Sequence, residues 1–473
     1  MVNMGGMFKS AVNALAGAAT PRKIDASALV DKAPSWEKLR SELEAASTEE
    51  ELSFRSKLES GRLDHACASA KRRLFDLPEG EEPRLTLYRD TASWCPYCEK
   101  VWLVLEEKRV PYLVEKVNMN CYGEKPEWFW QMQPSGGIPV AKLDGQVIRE
   151  SNDIIMAVER AFPENPLLPD EATEPEKAAR VRPLLALERE LFSAWFRWLG
   201  ASMSDGAQRM NLEALFKRVD EELAVGGGPY FLGAEVSLVD CMFAPFLERM
   251  AASLPYYKGL PVRRNDQWPR LEAWFVAMEG RPSYRHIQSD FYTHVHDLPP
   301  QVGGCRSIDG SAEYADAIDG ADGSWSLPLP EDDGTLLEPL SGLAQPSDAA
   351  RREAAERLIA NHDAVVRFAS RGVGSPGFPP VSAPLSDPNA QSNDDAVPVV
   401  DAALRHVTHA LIHSPEVAME DLSQGIDPRT AAATLGYLRD RISVPRDMGY
   451  PAARQARAHL NWAIETIGAA ATK

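Results

Sequence analysis

The sequence predicts an α/β domain followed by helical regions, and three observations lead to this fold class. Over 83–165, strand and helix patterns follow in the order strand, helix, strand, helix, strand, strand, helix, which is typical of an α/β layer. Over 174–297 the strand patterns disappear, and apolar residues recur at helical spacing. Helical patterns return over 347–473, after a segment rich in acidic residues.

The predicted α/β layer consists of short segments with distinct periodicities. The strand RLTLYR alternates Leu85 and Leu87 with polar residues, and CPYCEKVWLVLEEK then repeats apolar residues at helical spacing. A second strand, VPYLVEKVNM, is followed by the short helix EKPEWFWQMQ. In IPVAKLDGQVIRES, the pair Asp144 and Gly145 predicts a hairpin of two strands. The helix NDIIMAVERAF closes the domain.

The segment 174–297 is predicted to be an all-helical domain. Ser237 and Asp240 have the spacing of a capping box at the start of a buried helix, so we interpret this pair as structural. The long helix RVRPLLALERELFSAWFRWL carries one broad apolar stripe. The stripe consists of Val181, Leu184, Leu185, Leu191, Phe192, Trp195 and Leu199.

The remaining segments are assigned from their composition. Residues 1–82 are predicted to form an N-terminal extension, and its first 24 residues lack acids, which leaves open a targeting segment or a disordered terminus. Residues 301–350 hold ten acids and one base, so 298–346 is predicted as a flexible acidic linker. Residues 347–473 are predicted as a mostly helical C-terminal extension. Its helical patterns cover 347–371, 397–414, 427–443 and 451–468.

Charge and cysteine usage exclude several classes of function. The formal net charge of −18 argues against a nucleic-acid partner, because a phosphate-binding surface needs clustered Lys and Arg. No apolar run is long enough to predict a membrane span. The 473 residues include six irregularly spaced cysteines, which do not resemble a disulfide framework. We therefore expect a reducing, intracellular compartment.

Two cysteines lie three positions apart in WCPYC, a spacing used by half a zinc site, a dithiol redox pair or a single activated thiolate. A structural zinc site takes four Cys or His ligands, whereas this close pair has no neighbouring histidine, so no metal is predicted. Elsewhere His406, His409 and His413 recur at helical spacing. Because an apolar stripe runs beside them, we interpret them as surface residues rather than metal ligands.

The position of Cys95 favours a nucleophile. Pro96 fits the first turn of a helix, where its missing N–H costs nothing. The Cys95 sulfur then faces the free backbone N–H groups and the positive end of the helix dipole, which stabilise a thiolate. Cys98 lies one turn deeper and is expected to be a poorer nucleophile.

Two later segments predict a ligand site. The Ile138–Pro139 bond precedes a strand, where a cis peptide would expose neighbouring backbone to a ligand. Glu150 and Ser151 follow a strand and precede a helix. Ser151 is expected to cap that helix and Glu150 to bind a cation, although a generic cap explains the pair as well.

Residues 84–163 resemble the thioredoxin-fold domain of cysteine-type glutathione transferases, the omega and dehydroascorbate-reductase branch. CPYC stands at the nucleophile position of these proteins, and LEEKRVPY and EKPEWF match their helix end and glutathione-facing loop. PSGGIPV matches their cis-proline loop, and RES matches their Glu-Ser pair. Residues 174–297 are similar to their helical domain. In overall design the sequence resembles glutathione-transferase-like proteins of plants and algae with a CPYC motif and a long C-terminal extension.

The resemblance implies a thioredoxin-like domain, an all-helical glutathione transferase domain and glutathione as co-substrate. Cys95 would form a mixed disulfide with glutathione. Many omega and dehydroascorbate-reductase members lack the second cysteine, so Cys98 leaves open an internal disulfide and the identity of the resolving sulfur. The catalytic residues are therefore predicted to be Cys95 and Cys98.

The resemblance also implies the residues that bind glutathione. Val140 would bind the cysteinyl backbone through its own N–H and C=O. Glu150 and Ser151 would bind the γ-glutamyl group, and Lys125 would lie near the glycyl carboxylate. The full predicted binding set is Lys125, Ile138, Pro139, Val140, Glu150 and Ser151.

The predicted function is glutathione-dependent thiol oxidoreductase or transferase activity: thiol–disulfide exchange, deglutathionylation or reduction of the dehydroascorbate type. The alternatives are glutathione conjugation or an isomerase reaction at the same site, or a non-catalytic interaction module. The expected partners are glutathione and a small oxidised or electrophilic substrate. A homodimer or a protein partner that binds the C-terminal extension stays open, as does the choice between cytoplasm and plastid.

Overall fold

A computed structural model describes residues 27–201, 205–340, 347–378, 384–422 and 426–471. The predicted targeting segment at the N-terminus lies outside the described residues. The chain forms two compact units. The first unit takes its described residues from the segments Met1–Leu52, Asp316–Asp333 and Ala344–Lys473, and the second unit consists of Ser53–Ala315 and Gly334–Leu343.

Helices and strands are numbered in chain order within the described residues. The strands are β1 Arg72–Arg73, β2 Leu85–Asp90, β3 Tyr112–Val117, β4 Val140–Leu143 and β5 Gln146–Ile148. The helices up to residue 161 are α1 Ser27–Lys32, α2 Trp36–Ala46, α3 Glu49–Ser60, α4 Pro96–Glu107, α5 Glu127–Met132 and α6 Ser151–Ala161. The next are α7 Pro175–Gly200, α8 Asp205–Gly226, α9 Leu238–Lys258, α10 Pro269–Glu279, α11 Pro282–Arg285, α12 Phe291–Val302 and α13 Ala312–Ile318. The last are α14 Ser347–Ala360, α15 His362–Ser370, α16 Val397–Ile412, α17 Glu416–Leu422, α18 Pro428–Arg439 and α19 Tyr450–Ala471.

A mixed sheet with strand order β1-β3-β2-β4-β5 forms the α/β layer of the second unit. β2 is parallel to β3, and β4 is antiparallel to both β2 and β5. The predicted hairpin joins β4 to β5, and Asp144 and Gly145 both have positive φ (49° and 85°), as a tight two-residue hairpin turn requires. The α/β layer predicted from the sequence is confirmed.

Strand β1 was not predicted, and it lies in the segment interpreted as an N-terminal extension. Two residues are too few to show a period, so the pattern of the sequence could not indicate a strand. β1 pairs antiparallel with β3, and Arg73 is held by a buried, bidentate salt bridge to Glu106 of α4, with both N–O distances 2.8 Å. Residues 53–82 therefore belong to the unit that contains the sheet.

The first unit is helical, and its core gathers parts of the chain that are far apart in sequence. Leu39 and Leu43 of α2 are buried in one apolar cluster with Leu404 and Leu411 of α16. Residues 316–333 also belong to this unit, where Trp325 is buried and its carbonyl accepts a hydrogen bond from Asn461 (3.1 Å). The domain boundaries drawn from the sequence stay predictions.

Within the described part of the chain, no helix is both long and apolar enough to cross a membrane.

Asp240 stabilises the start of α9 as a buried acceptor. One carboxylate oxygen accepts from the Ser237 N–H (2.8 Å) and hydroxyl (2.7 Å). The other accepts from the Phe231 N–H (3.1 Å) and the Trp274 indole N–H (2.9 Å). The carboxylate thus joins the start of α9 to the preceding loop and to α10, beyond the helix cap that the sequence predicts.

Asp240→Asn is expected to lower the free energy of unfolding by about 2 kcal/mol, because an amide N–H₂ would face the donors of Ser237 and leave them without an acceptor. Urea unfolding of the full chain measures the change. Asp266→Asn is the matched control, since Asp266 is exposed and its replacement should change stability by no more than about 0.5 kcal/mol. Equal effects of the two substitutions would contradict the structural role of Asp240.

Candidate active site

The loop between β2 and α4 holds Cys95 at the start of a helix. Asp90, the last residue of β2, accepts hydrogen bonds from the backbone N–H groups of Trp94 (2.5 Å) and Cys95 (3.1 Å). Arg89 stabilises the same loop by donating to the Asp90 carbonyl (3.0 Å) and the Ser93 hydroxyl (2.8 Å). Cys95 is the N-cap residue of α4 and Pro96 is its first residue, as the sequence predicts.

The two cysteines have unequal surroundings. Cys95 is 7% exposed, and its sulfur lies 3.9 Å from the carbonyl oxygen of Ile138. Cys98 is 1% exposed. Burial raises the pKa of the Cys98 thiol well above its usual range, and the neighbouring Cys95 raises it further. Cys98 is therefore a protonated thiol near neutral pH.

The Ile138–Pro139 peptide bond is cis, as the sequence predicts. The Ile138 carbonyl of this bond faces the Cys95 sulfur. The next residue, Val140, begins β4 and pairs with Tyr88, while its side chain lies in an apolar cluster with Phe129. A contact between Val140 and a ligand would therefore have to use backbone atoms.

Glu150 and Ser151 mark the start of α6, but their roles in the helix differ from the prediction. Glu150 is the N-cap residue, with extended backbone (φ −99°, ψ 133°), whereas Ser151 is already the first helical residue. The expectation that Ser151 caps the helix was therefore wrong. Glu150 is exposed and Ser151 is buried at 9% exposure. The free backbone N–H groups of a helix start lie beside both side chains.

A cavity of about 550 Å³ lies beside these residues, between the α/β layer and helices α7 and α9. It brings together four residues of the predicted binding set and several that were not predicted. The predicted residues are Ile138, Pro139, Glu150 and Ser151, and the others include Tyr97, Lys100, Gln133, Arg149, Glu188 and Arg189. Val140 and Lys125 are not among the described residues that line the cavity.

Lys100 is a basic residue of the cavity that sequence reasoning missed. Its Nζ donates to Asn152 Oδ1 (2.6 Å), beside the start of α6. Burial lowers the pKa of Lys100 to about 8, and the nearby Arg189 lowers it as well. The opposing charges of Glu188, Cys95 and Glu150 raise it. The only signal in the sequence was its position five residues after Cys95, near the same end of the helix.

Lys125 lies in the segment before α5, apart from the residues that line the cavity. It is buried, and its Nζ donates to Asn120 Oδ1 (2.5 Å). Burial lowers its pKa, while Cys121, Cys95 and Cys98 act in the opposite direction. Lys125 therefore lies within electrostatic range of Cys95 and Cys98.

A buried ion network lies behind the nucleophile loop. Arg249 of α9 donates to the Trp94 carbonyl, to Glu99 Oε2 (2.9 Å) and to Glu248 Oε1 (2.9 Å). Burial raises the pKa of Glu99 well above its usual range, and the charge of Glu248 raises it further. Burial also lowers the pKa of His294, which flanks the network, to about 3. The network therefore places one guanidinium group between two buried carboxyl groups.

Trp94 is a packing residue in this structure. It is buried, and the Arg249 guanidinium stacks over its ring at 4.7 Å. Its contacts join the Cys95 loop to α9.

Two family profiles match the chain in the order of these structural parts. The family described as glutathione S-transferase, N-terminal domain, matches residues 94–161. The family described as glutathione S-transferase, C-terminal domain, matches residues 179–277. The first match contains Cys95, cis-Pro139 and the start of α6, and the second contains most of α7 to α10.

Curated relatives of the same family are similar to this part of the chain. Glutathione S-transferase DHAR3, chloroplastic, from Arabidopsis thaliana is 31% identical over 44% of this chain and 75% of its own length. Glutathione S-transferase DHAR2 from the same plant is 30% identical over 42% of this chain and 86% of its own length. Glutathione S-transferase omega-1 from Sus scrofa is 29% identical over 47% of this chain and 89% of its own length.

Solved structures were also matched. Glutathione transferase Omega 3C from Trametes versicolor has 27% identity and a TM-score of 0.39, over 50% of this chain and 95% of its own. Chlamydomonas reinhardtii dehydroascorbate reductase has 23% identity and a TM-score of 0.37, over 44% of this chain and 94% of its own.

The chain belongs to the glutathione S-transferase family, and its similar relatives are of the cysteine-type dehydroascorbate-reductase and omega classes. The predicted family, its two-domain fold, an enzymatic role and glutathione as co-substrate are thereby confirmed. The names of the plant relatives include both chloroplastic and cytosolic proteins.

Proposed function

We propose that this enzyme catalyses glutathione-dependent thiol–disulfide exchange, with Cys95 as the nucleophile and glutathione mixed disulfides as the substrate class. The observation that carries the proposal is the position of the Cys95 sulfur at a helix start, 3.9 Å from the carbonyl beside cis-Pro139. A thiolate at this position is stabilised by the helix N-terminus and attacks disulfides. The similarity to the curated DHAR relatives adds a small oxidant of the dehydroascorbate type as a second kind of substrate.

The proposed reaction has two displacements at sulfur. The Cys95 thiolate attacks the glutathione sulfur of a mixed disulfide, forms a bond to it and releases the other sulfur as a thiolate, which takes up a proton. A second glutathione thiolate then attacks the same glutathione sulfur, which forms glutathione disulfide and restores the Cys95 thiolate. In a dithiol route, the Cys98 sulfur attacks the Cys95 sulfur and forms a Cys95–Cys98 disulfide, while the departing glutathione thiolate takes up the proton that Cys98 loses.

The proposed glutathione site uses the cavity residues with complementary charge. The γ-glutamyl group carries an ammonium and a carboxylate. Glu150 offers a carboxylate to the ammonium, and Ser151 and Lys100 offer a hydroxyl and a cation to the carboxylate. The cysteinyl part would align with the backbone at Ile138, Pro139 and Val140. Lys125 is proposed for the glycyl end.

The charge of Lys100 is expected to make ligand binding depend on pH. Because its pKa is about 8, Lys100 is a cation at pH 7 and mostly neutral at pH 9. Binding of S-methylglutathione, which has no thiol, should weaken by about five- to tenfold between pH 7 and pH 9 in the native protein. Calorimetry measures this change.

Lys100→Arg is the matched variant for this prediction, because a guanidinium stays charged over the whole range. Its binding should weaken much less between pH 7 and pH 9. Titration of the ligand itself affects both proteins equally. If the two pH profiles coincide, Lys100 does not bind the ligand.

A kinetic comparison tests the proposed reaction class. The protein is assayed at equal glutathione concentration with a mixed disulfide of glutathione and with an aromatic chloride. We expect the value of kcat/KM for the disulfide to exceed that for the aromatic chloride by at least about 100-fold, because a cysteine thiolate exchanges with disulfides whereas conjugation needs a stabilised glutathione thiolate. The reverse order would favour a conjugating transferase.

A further inference from the structure

Three side chains with metal-binding atoms converge on the first unit. We name Glu42, His409 and His413 the His-Glu cluster. One carboxylate oxygen, Glu42 Oε2, lies 3.2 Å from His413 Nε2 and 3.8 Å from His409 Nε2. The three ligand atoms all lie within 4.8 Å of one another. The sequence showed the two histidines but not the carboxylate, which is separated from His413 by 371 positions.

The spacing of these atoms fits a tetrahedral metal ion. Zinc binds imidazole nitrogen and carboxylate oxygen at about 2.0–2.2 Å, so two ligand atoms of a tetrahedral site lie about 3.4 Å apart. The two distances to Glu42 Oε2 bracket this value. The third pair of ligand atoms, one from each histidine, lies within 4.8 Å, so side-chain movements of up to about 1.4 Å bring it to the tetrahedral value. The fourth position would face solvent, because His413 is 43% and Glu42 25% exposed.

The helix packing holds the ligands in place before any ion binds. His409 and His413 are one turn apart at the end of α16, and their rings are nearly perpendicular, with centroids 4.9 Å apart. Glu42 lies on α2, which is fixed to α16 by a hydrogen bond from the Trp36 indole N–H to Asp401 Oδ1 (2.8 Å). Leu39 and Leu43, on either side of Glu42 in the helix, are buried in the core of the unit.

Two neighbouring groups define the limits of the site. Lys38 Nζ lies 3.6 Å from the second carboxylate oxygen, Glu42 Oε1, so the lysine contacts the oxygen that is not in the cluster. His406, the third histidine of the sequence pattern, is buried at 1% exposure and is not one of the cluster. The interpretation of all three histidines as surface residues was therefore wrong for His406.

We propose that the His-Glu cluster binds one zinc-class divalent ion and that the ion clips α2 to the end of α16. Two imidazoles and one carboxylate with one open position suit zinc better than magnesium or calcium, which prefer oxygen ligands. The sequence predicted no metal site because it was judged only from the cysteine pair and the histidines, without the carboxylate of Glu42. The proposal does not depend on the glutathione chemistry.

Zinc binding by the full chain tests the proposal. The protein carries Cys95→Ser and Cys98→Ser, so that the thiols cannot bind the ion, and it has no histidine tag. Calorimetric titration with zinc chloride at pH 7.5 should give one equivalent bound, and zinc should raise the midpoint of thermal unfolding because it binds only the folded unit. Mass spectrometry of the gel-filtered protein counts the retained zinc.

Matched variants locate the ion. Glu42→Gln and His413→Gln should each weaken zinc binding by at least about tenfold and remove the thermal shift. The control His362→Gln replaces a partly exposed histidine of the same unit, near Asp363, and should leave zinc binding unchanged. Because these side chains are partly exposed, the variants are expected to fold. No bound zinc, or equal binding by all variants, would overturn the proposal.

Discussion

Cys95→Ser is expected to reduce thiol–disulfide exchange by at least about 10³-fold, the largest effect of any single substitution in this protein. A serine hydroxyl at the same position stays protonated near neutral pH and cannot form the mixed disulfide. The rate is measured as glutathione disulfide formed from a mixed disulfide of glutathione. An undiminished rate would contradict the assignment of Cys95 as nucleophile.

The half-buried cysteines of the second unit are not expected to replace Cys95. Burial raises the pKa of Cys121 to about 11 and that of Cys305 to about 12, so neither is a thiolate near neutral pH. Cys67→Ser is the matched control, because Cys67 is a half-buried cysteine of the same unit that is hydrogen-bonded to Ser69 (3.1 Å). This variant should keep the full rate of exchange.

Arg249→Met is expected to lower the free energy of unfolding by about 3–5 kcal/mol, because it leaves a buried carboxylate without its cation. The Trp94 carbonyl would also lose its guanidinium donor. Since Trp94 precedes the nucleophile, the fraction of the variant that stays folded should exchange disulfides more slowly. Its kcat should fall, while its Cys95 thiol should stay accessible to the substrate. Urea unfolding measures stability, and hydrogen exchange of α9 shows that the loss belongs to this unit.

Arg218→Met is the control for this prediction. Arg218 also forms an ion pair, with Glu190 at 2.9 Å, but both side chains are about half exposed. An exposed pair contributes little, so its loss should change stability by no more than about 1 kcal/mol. If Arg249→Met has an equally small effect, the buried network does not support the nucleophile loop.

The sequence predicted the parts of the site that depend on neighbouring residues. Cys95 and Pro96 define a helix start within two positions, and the turn at Asp144 and Gly145 follows from their ability to adopt positive φ. The cis bond before Pro139 was anticipated because only proline tolerates it readily. Each of these features depends on neighbouring residues in the chain, so a single sequence is sufficient to predict it.

The parts that were missed depend on contacts between distant residues. Glu99 and Arg249 are 150 positions apart, and a charge pattern does not indicate which acid meets which base. Glu42 approaches His413 only because α2 packs on α16, and neither helix carries a signal for the other. In the sequence, Lys100 is not distinguished from the other charged residues of its predicted helix. Its perturbed pKa follows from burial, and residues of α7 and α9 line the same cavity as Lys100.

The most direct test of the account is the intact mass of the protein after incubation with glutathione disulfide, for the native chain, Cys95→Ser and Cys98→Ser. We predict that Cys98→Ser retains one glutathione, because Cys95 forms the mixed disulfide and no second thiol resolves it, whereas Cys95→Ser retains none. Glutathione bound to Cys95→Ser, or to none of the three proteins, would contradict the proposed mechanism.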